Sequence, residues 1–147
     1  MFNFYANEQD KGFAGMKANV AVDTVDSFAA EDGINPGEAV IRGTNVETQV
    51  KAVTATEDIE KIIGIAVHTH KEPSANGKYY AEGDAVPVMT SGDIYVEVNG
   101  NVKAGDTVKM SIEDGAGIFE ASGTVVRNMT YMESGGAGDI IRVRIRK

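Results

Sequence analysis

Gly83-Asp84-Ala85-Val86-Pro87-Val88-Met89-Thr90-Ser91-Gly92-Asp93-Ile94-Tyr95-Val96-Glu97-Val98 is the stretch whose reading decides the fold. Two runs of β-favouring residues, 85–89 and 94–98, each stand behind a Gly-Asp pair. Within them apolar side chains alternate or nearly so, the period of a strand with one buried face. Glycine takes the positive φ that ends a turn, and an aspartate carboxylate accepts hydrogen bonds from nearby amides. The same opening recurs at Gly105-Asp106 before 107–110 and at Gly138-Asp139 before 140–146. Repetition of this turn-to-strand pattern predicts a series of short strands. It also assigns much of the acid to turns.

Working outward, Asn99-Gly100 is a strong hairpin signal, and Asp114-Gly115 is a second turn dipeptide. Upstream, residues 39–42 and the Val- and Thr-rich 49–56 read as strands. Ile62-Ile63-Gly64-Ile65-Ala66-Val67-His68 is apolar on both faces, which suits a central, covered strand. Thr56-Glu57-Asp58-Ile59-Glu60 offers a Thr N-cap and early acids, enough for one helical turn. Short strands with turn signals about every 8–12 residues imply an all-β barrel or sandwich. No second globular domain is evident.

Residues 1–38 differ from the rest. They hold five of the ten aromatics, Phe2, Phe4, Tyr5, Phe13 and Phe28, without a sustained helical or strand period. We read them as an extended, mostly irregular N-terminal arm whose aromatics dock onto the chain's own body or a neighbour. Asp32-Gly33-Ile34-Asn35-Pro36-Gly37 marks its end, and residues 39–147 form the β-barrel domain.

Composition removes several function classes. In 147 residues, 42% hydrophobic and 24% charged content describe a folded chain. Fourteen cations against 22 carboxylates leave a net charge of −8, which argues against binding a phosphate backbone. The longest apolar run, Ile62 to Val67, is far short of the ~20 residues of a membrane helix. The N-terminus reads as no secretory signal, so an aqueous, cytoplasm-like setting is expected. With no cysteine, disulfides, thiolate metal sites and Cys nucleophiles are excluded.

The candidate chemistry is sparse. His68 and His70 share one side of a strand, with Glu72 nearby, but a metal site needs three or four placed ligands. We read them as a strand end, and expect no metal and no cofactor. No nucleophile elbow, zinc-protease motif or phosphate loop is present, so no enzyme is expected. Lys109 follows a Val-x-x-Gly-Asp-x-Val turn resembling that of biotin and lipoyl carriers, but it falls inside an alternating strand, not on a tip. In the last strand Ile141, Val143 and Ile145 point one way and Arg142, Arg144 and Arg146 the other. Residues 139–147 carry four cations and one carboxylate, +3, against −11 for residues 1–138. Those arginines are candidate charge contacts between copies.

The order of several short motifs resembles the structural cement, or capsid decoration, proteins of tailed bacteriophages. The resemblance begins with Gly12-Phe13-Ala14-Gly15-Met16, Val25-Asp26-Ser27 and Ile34-Asn35-Pro36-Gly37-Glu38-Ala39-Val40. Gly64-Ile65-Ala66-Val67-His68, Tyr80 to Met89, Ser91 to Val96, Val102 to Val108 and Ala137 to Val143 follow in order. It implies a non-enzymatic protein with a compact β-barrel, or tulip-like, body and an extended arm. It further implies a homotrimer on the outer surface of the expanded head, bracing adjoining major capsid protein subunits. Synthesis in the host cytoplasm, with no nucleic-acid or membrane partner, goes with that reading. Phe2, Phe4, Tyr5 and Phe13 would carry the capsid or inter-subunit contact. A small β-barrel glycan- or ligand-binding module is the alternative.

Overall fold

Nine strands and one 310 turn occur among the described residues, 12–18, 23–69 and 78–146 of this computed structural model. They are β1 (Thr24–Ala30), β2 (Ala39–Arg42), β3 (Gln49–Ala52), the 310 turn (Thr56–Lys61), β4 (Gly64–Ala66) and β5 (Ala85–Glu97). β6 (Thr107–Glu113), β7 (Ala116–Glu120), β8 (Thr124–Tyr131) and β9 (Ile140–Ile145) complete the series. The expected all-β class and barrel are present. Strand β1 pairs with both β3 and β5, and β3, β2, β4 and β5 follow one another, so five strands close into a ring. Every junction in it is antiparallel except β1–β3, which is parallel through Ala29↔Gln49 and Ala30↔Val50. The far half of β5 leaves the ring and begins a second sheet in the order β5-β9-β8-β6-β7.

The two layers of core follow from strand alternation. Val40, Val50, Ala66, Tyr80, Val86 and Val88 fill the ring. Their neighbours on the opposite face, including Ile41, Ile65, Val67 and Met89, pack against Ile94, Val108, Met129, Tyr131, Ile141 and Val143 of the second sheet. Strand β4 is therefore buried on both faces, as its unbroken apolar run predicts.

Turn chemistry matches the sequence at three Gly-Asp pairs. Gly83, Gly105 and Gly138 have φ of +90°, +93° and +86°. Asp84 accepts from the Ala81 amide at 2.9 Å and Asp139 from the Gly136 amide at 2.8 Å. Asp114 (φ +53°) and Gly115 (φ +76°) form the two-residue hairpin between β6 and β7, with Glu113 facing Ala116.

Four local expectations are corrected. Gly92-Asp93 is no turn: it lies inside β5, where Gly92 (φ +132°) marks the passage from ring to second sheet. Asn99-Gly100 makes no hairpin, because β5 and β6 are separated by β9 and β8. Thr56 is not the N-cap of the helical turn, which starts after Ala55 without a side-chain cap. Residues 24–30, expected within the irregular arm, are strand β1, whose ladder to β5 from Thr24↔Ser91 to Ala29↔Ala85 closes the ring. Each correction reflects partners distant in sequence, which local turn and cap preferences do not encode.

Candidate interaction surface

The aromatic feature that the sequence places at the N-terminus begins, among the described residues, at Phe13. Gly15 to Ala18 lie along the edge of β5 opposite β9. Gly15 N donates to Tyr95 O at 2.8 Å, Tyr95 N to Met16 O at 3.0 Å and Ala18 N to Asp93 O at 3.0 Å. His68 N donates to Gly15 O at 2.9 Å, tying the segment to the end of the β4 run. Phe13 stands at the mouth of this anchored piece and is 47% exposed.

Phe13 is also the outer member of an aromatic strip. Its ring meets His68 edge-on at 4.8 Å, His68 lies tilted on Tyr79 at 5.0 Å, and Tyr79 meets Tyr80 edge-on at 5.1 Å. The strip deepens from an exposed ring to a fully buried one. The Tyr80 hydroxyl donates to Val67 O and the Tyr79 hydroxyl to Thr69 O, while Tyr79 N donates to Asn35 Oδ1 at 2.8 Å. Burial raises the Tyr80 pKa above the ordinary tyrosine value. Such rings bind through area and edge-to-face geometry, with few rotamers to freeze. Phe2, Phe4, Tyr5 and His70 lie outside the described residues. His68 is thus a packed ring at the strand end. No three His, Asp or Glu side chains converge as a metal-ligand set among the described residues.

The arginine face of β9 is present, with a partner that the motif reading missed. Asp93 faces Arg144 in register, and Arg144 donates to it from Nε at 2.8 Å and from Nη2 at 3.0 Å. Arg142 Nη1 lies 3.8 Å from the same carboxylate. The Arg144 hydrogen bonds hold the Asp93 carboxyl below the usual range despite its burial. The preceding glycine makes Asp93 look like a turn residue in the sequence; only the β5–β9 register places it under the arginines. Arg146 is exposed.

Three further carboxylates have structural partners. A cleft of about 380 Å³ between the ring and the β6–β7 hairpin is lined in part by Glu31, Glu38 and Lys78. Glu31 accepts from the Thr44 amide at 2.5 Å, which lowers its pKa, and Lys78 lies 3.6 Å from Glu38. Glu120 accepts from the Ser111 hydroxyl.

Comparison with known proteins agrees with the fold. The chain matches the family model described as "Structural cement protein (E217 gp24/Pam3 gp6)" over residues 2–146. Among solved structures it is similar to a chain of the capsid of Myoviridae phage XM1. That match has 18% identity over 91% of this chain and 89% of that one, with a TM-score of 0.64. Another match is the head fiber gp8.5 N base of bacteriophage phi29, at 12% identity over 85% and 95% of the two chains, TM-score 0.45. No curated protein sequence matches. With residues 2–146 covered by a single family model, the chain belongs to the phage structural cement protein family.

Proposed function

We propose that this protein decorates the outer surface of the expanded phage head as a homotrimer and braces adjoining major capsid protein subunits, without catalysis or a cofactor. The observation that carries the contact assignment is Phe13, half-exposed at the outer end of a ring strip whose other members are tied to the barrel. Eight to eleven positions before it in sequence stand Phe2, Phe4 and Tyr5, which add to the same aromatic supply. In this reading the four residues form the capsid or inter-subunit contact, since buried aromatics dominate interface energetics. Three copies per trimer make weak contacts sufficient. The cationic face of β9 supplies charge contacts between copies. Arg146 is exposed, and Arg142 and Arg144 keep 32% and 31% of their side chains exposed beyond Asp93. The protein is made in the host cytoplasm and resides on the virion, away from nucleic acid and membrane.

Electron microscopy of heads from phage with and without the protein tests this directly. Density centred on the local threefold axes of decorated heads, absent from undecorated ones, is expected. Density elsewhere, or a glycan ligand with no head binding, overturns it. A variant lacking residues 1–14 keeps the Gly15-to-Ala18 ladder on β5 and should fold yet fail to decorate. Normal decoration by that variant removes the arm from the contact.

A further inference from the structure

Two strand irregularities converge on one cavity. Along β1, Thr24 and Val25 are consecutive, but they face Ser91 and Met89 on β5, so Thr90 is an extra residue. Along β6, the two steps from Thr107 to Lys109 correspond to five on β8, from Thr130 to Val125. The extra length contains Arg127 and Asn128, the latter at φ +64°. Bulges re-aim side chains and interrupt pairing. Here Thr90, Arg127 and Asn128 all line a cavity of about 220 Å³ between the ring and the β8–β9 end of the second sheet.

The lining has a definite chemistry. Arg42 and Arg127 stand at the cavity with one carboxylate, Asp26, and neither guanidinium has a carboxylate within 4.0 Å among the described residues. Arg42 is held in place, its guanidinium 5.6 Å from the Phe28 ring centre and its Nη1 donating to Val46 O at 2.6 Å. A fixed guanidinium retains donors for a second acceptor. Thr90 lines the same cavity at 3% exposure, and its Oγ1 has no hydrogen-bond partner among the described residues. A buried hydroxyl left unpaired is unfavourable. Phe28, Met129 and Ile145 add an apolar wall.

The geometry points to a pocket that receives a carboxylate side chain, with glutamate the better fit, from a capsid subunit. The two arginines meet the carboxylate, and the apolar wall covers the methylenes. Two guanidinium groups without a carboxylate partner among the described residues, against the single carboxylate of Asp26, leave the lining locally cationic, the charge complement of an acidic side chain. The identity of the partner rests on the cement reading; the pocket itself rests on the lining.

Two measurements test it on the full chain. In an NMR titration with N-acetylglutamate methylamide, saturable shifts are expected at Thr90, Arg127 and Asn128, and none with the glutamine analogue. Equal responses to both, or no response, overturn the pocket. In sedimentation with phage heads that lack the protein, Arg127→Glu should bind at least about tenfold more weakly than wild type, the scale of one lost charge pair. Lys51→Glu, whose strand partner Ile41 sits on the opposite face from Arg42, should bind as wild type. Wild-type binding retained in Arg127→Glu overturns the pocket and leaves the cement function standing. Heads that bind no wild-type protein overturn the cement reading and the proposed partner together, whatever the titration shows.

Discussion

Arg144 and Asp93 are directly opposed in the β5–β9 ladder and joined by two hydrogen bonds of 2.8 and 3.0 Å. Asp93 is 4% exposed, whereas Arg144 keeps contact with water, so the pair sits at the edge of the low-dielectric interior. Removing the cation leaves a buried carboxylate facing the more distant Arg142, 3.8 Å away. Arg144→Ala should therefore destabilise the fold, by less than loss of one partner of a fully buried pair because Arg144 is screened. Urea unfolding measures this, and an unchanged midpoint would show the pair to be incidental.

The same pair sets an acid limb. The Asp93 carboxyl titrates below its ordinary 3.8 in the folded state, mainly through the Arg144 hydrogen bonds. A depressed folded pKa contributes stability that is present above the unfolded value and lost as pH falls through the folded one. Thermal melting should decline below about pH 4, and Asp93→Asn should be weaker at neutral pH with a flatter acid limb. An unchanged slope in that variant counts against the assignment.

Tyr131 sets the alkaline counterpart. It is fully buried, donates to Glu120 O at 2.8 Å, and burial raises its pKa above the ordinary 10. A raised folded pKa gives stability that is complete below the unfolded value and lost as pH rises through the folded one. Stability should fall above about pH 10, with Tyr80 contributing in the same direction. Tyr131→Phe should cost about 1–2 kcal/mol at neutral pH and flatten the alkaline limb, read by denaturation at several pH values.

Gly92 is required by both conformation and space. At φ +132° it is in a region that L side chains rarely adopt, and an added Cβ would lie 2.6 Å from Asp23 Cβ. Gly92→Ala should destabilise by about 3 kcal/mol, combining backbone strain with overpacking. A melting temperature equal to wild type would show that this position tolerates a side chain.

Thr90 makes the opposite prediction. Its unpaired hydroxyl weakens the free protein, so Thr90→Val should stabilise it by about 1 kcal/mol, raising Tm by about 2–4 °C. Calorimetry decides this, and a destabilised variant would mean that the hydroxyl is already satisfied.

Much of the ring was legible because its strands carry their own punctuation. Gly83-Asp84, Gly105-Asp106 and Gly138-Asp139 adopt the turns their residue types favour, and Asp114-Gly115 closes a hairpin. The alternation of Ile141, Val143 and Ile145 with arginines sorts β9 into a buried and an outer face. Of the candidate surface, Phe13 was legible as an aromatic among small residues, and its place on His68 was not.

The sequence by itself determined the all-β class, the turn positions and the inward faces, because these depend on φ preferences and on a two-residue period. Tertiary structure alone decided which strands meet. That is why Gly92-Asp93 lies within a strand, Asn99-Gly100 joins no hairpin, and residues 24–30 close the ring. Register is a relation between segments distant in the chain, and it is settled by shared core packing that no local pattern specifies. The Asp93–Arg144 pair and the cavity between the two bulges exist only at that level.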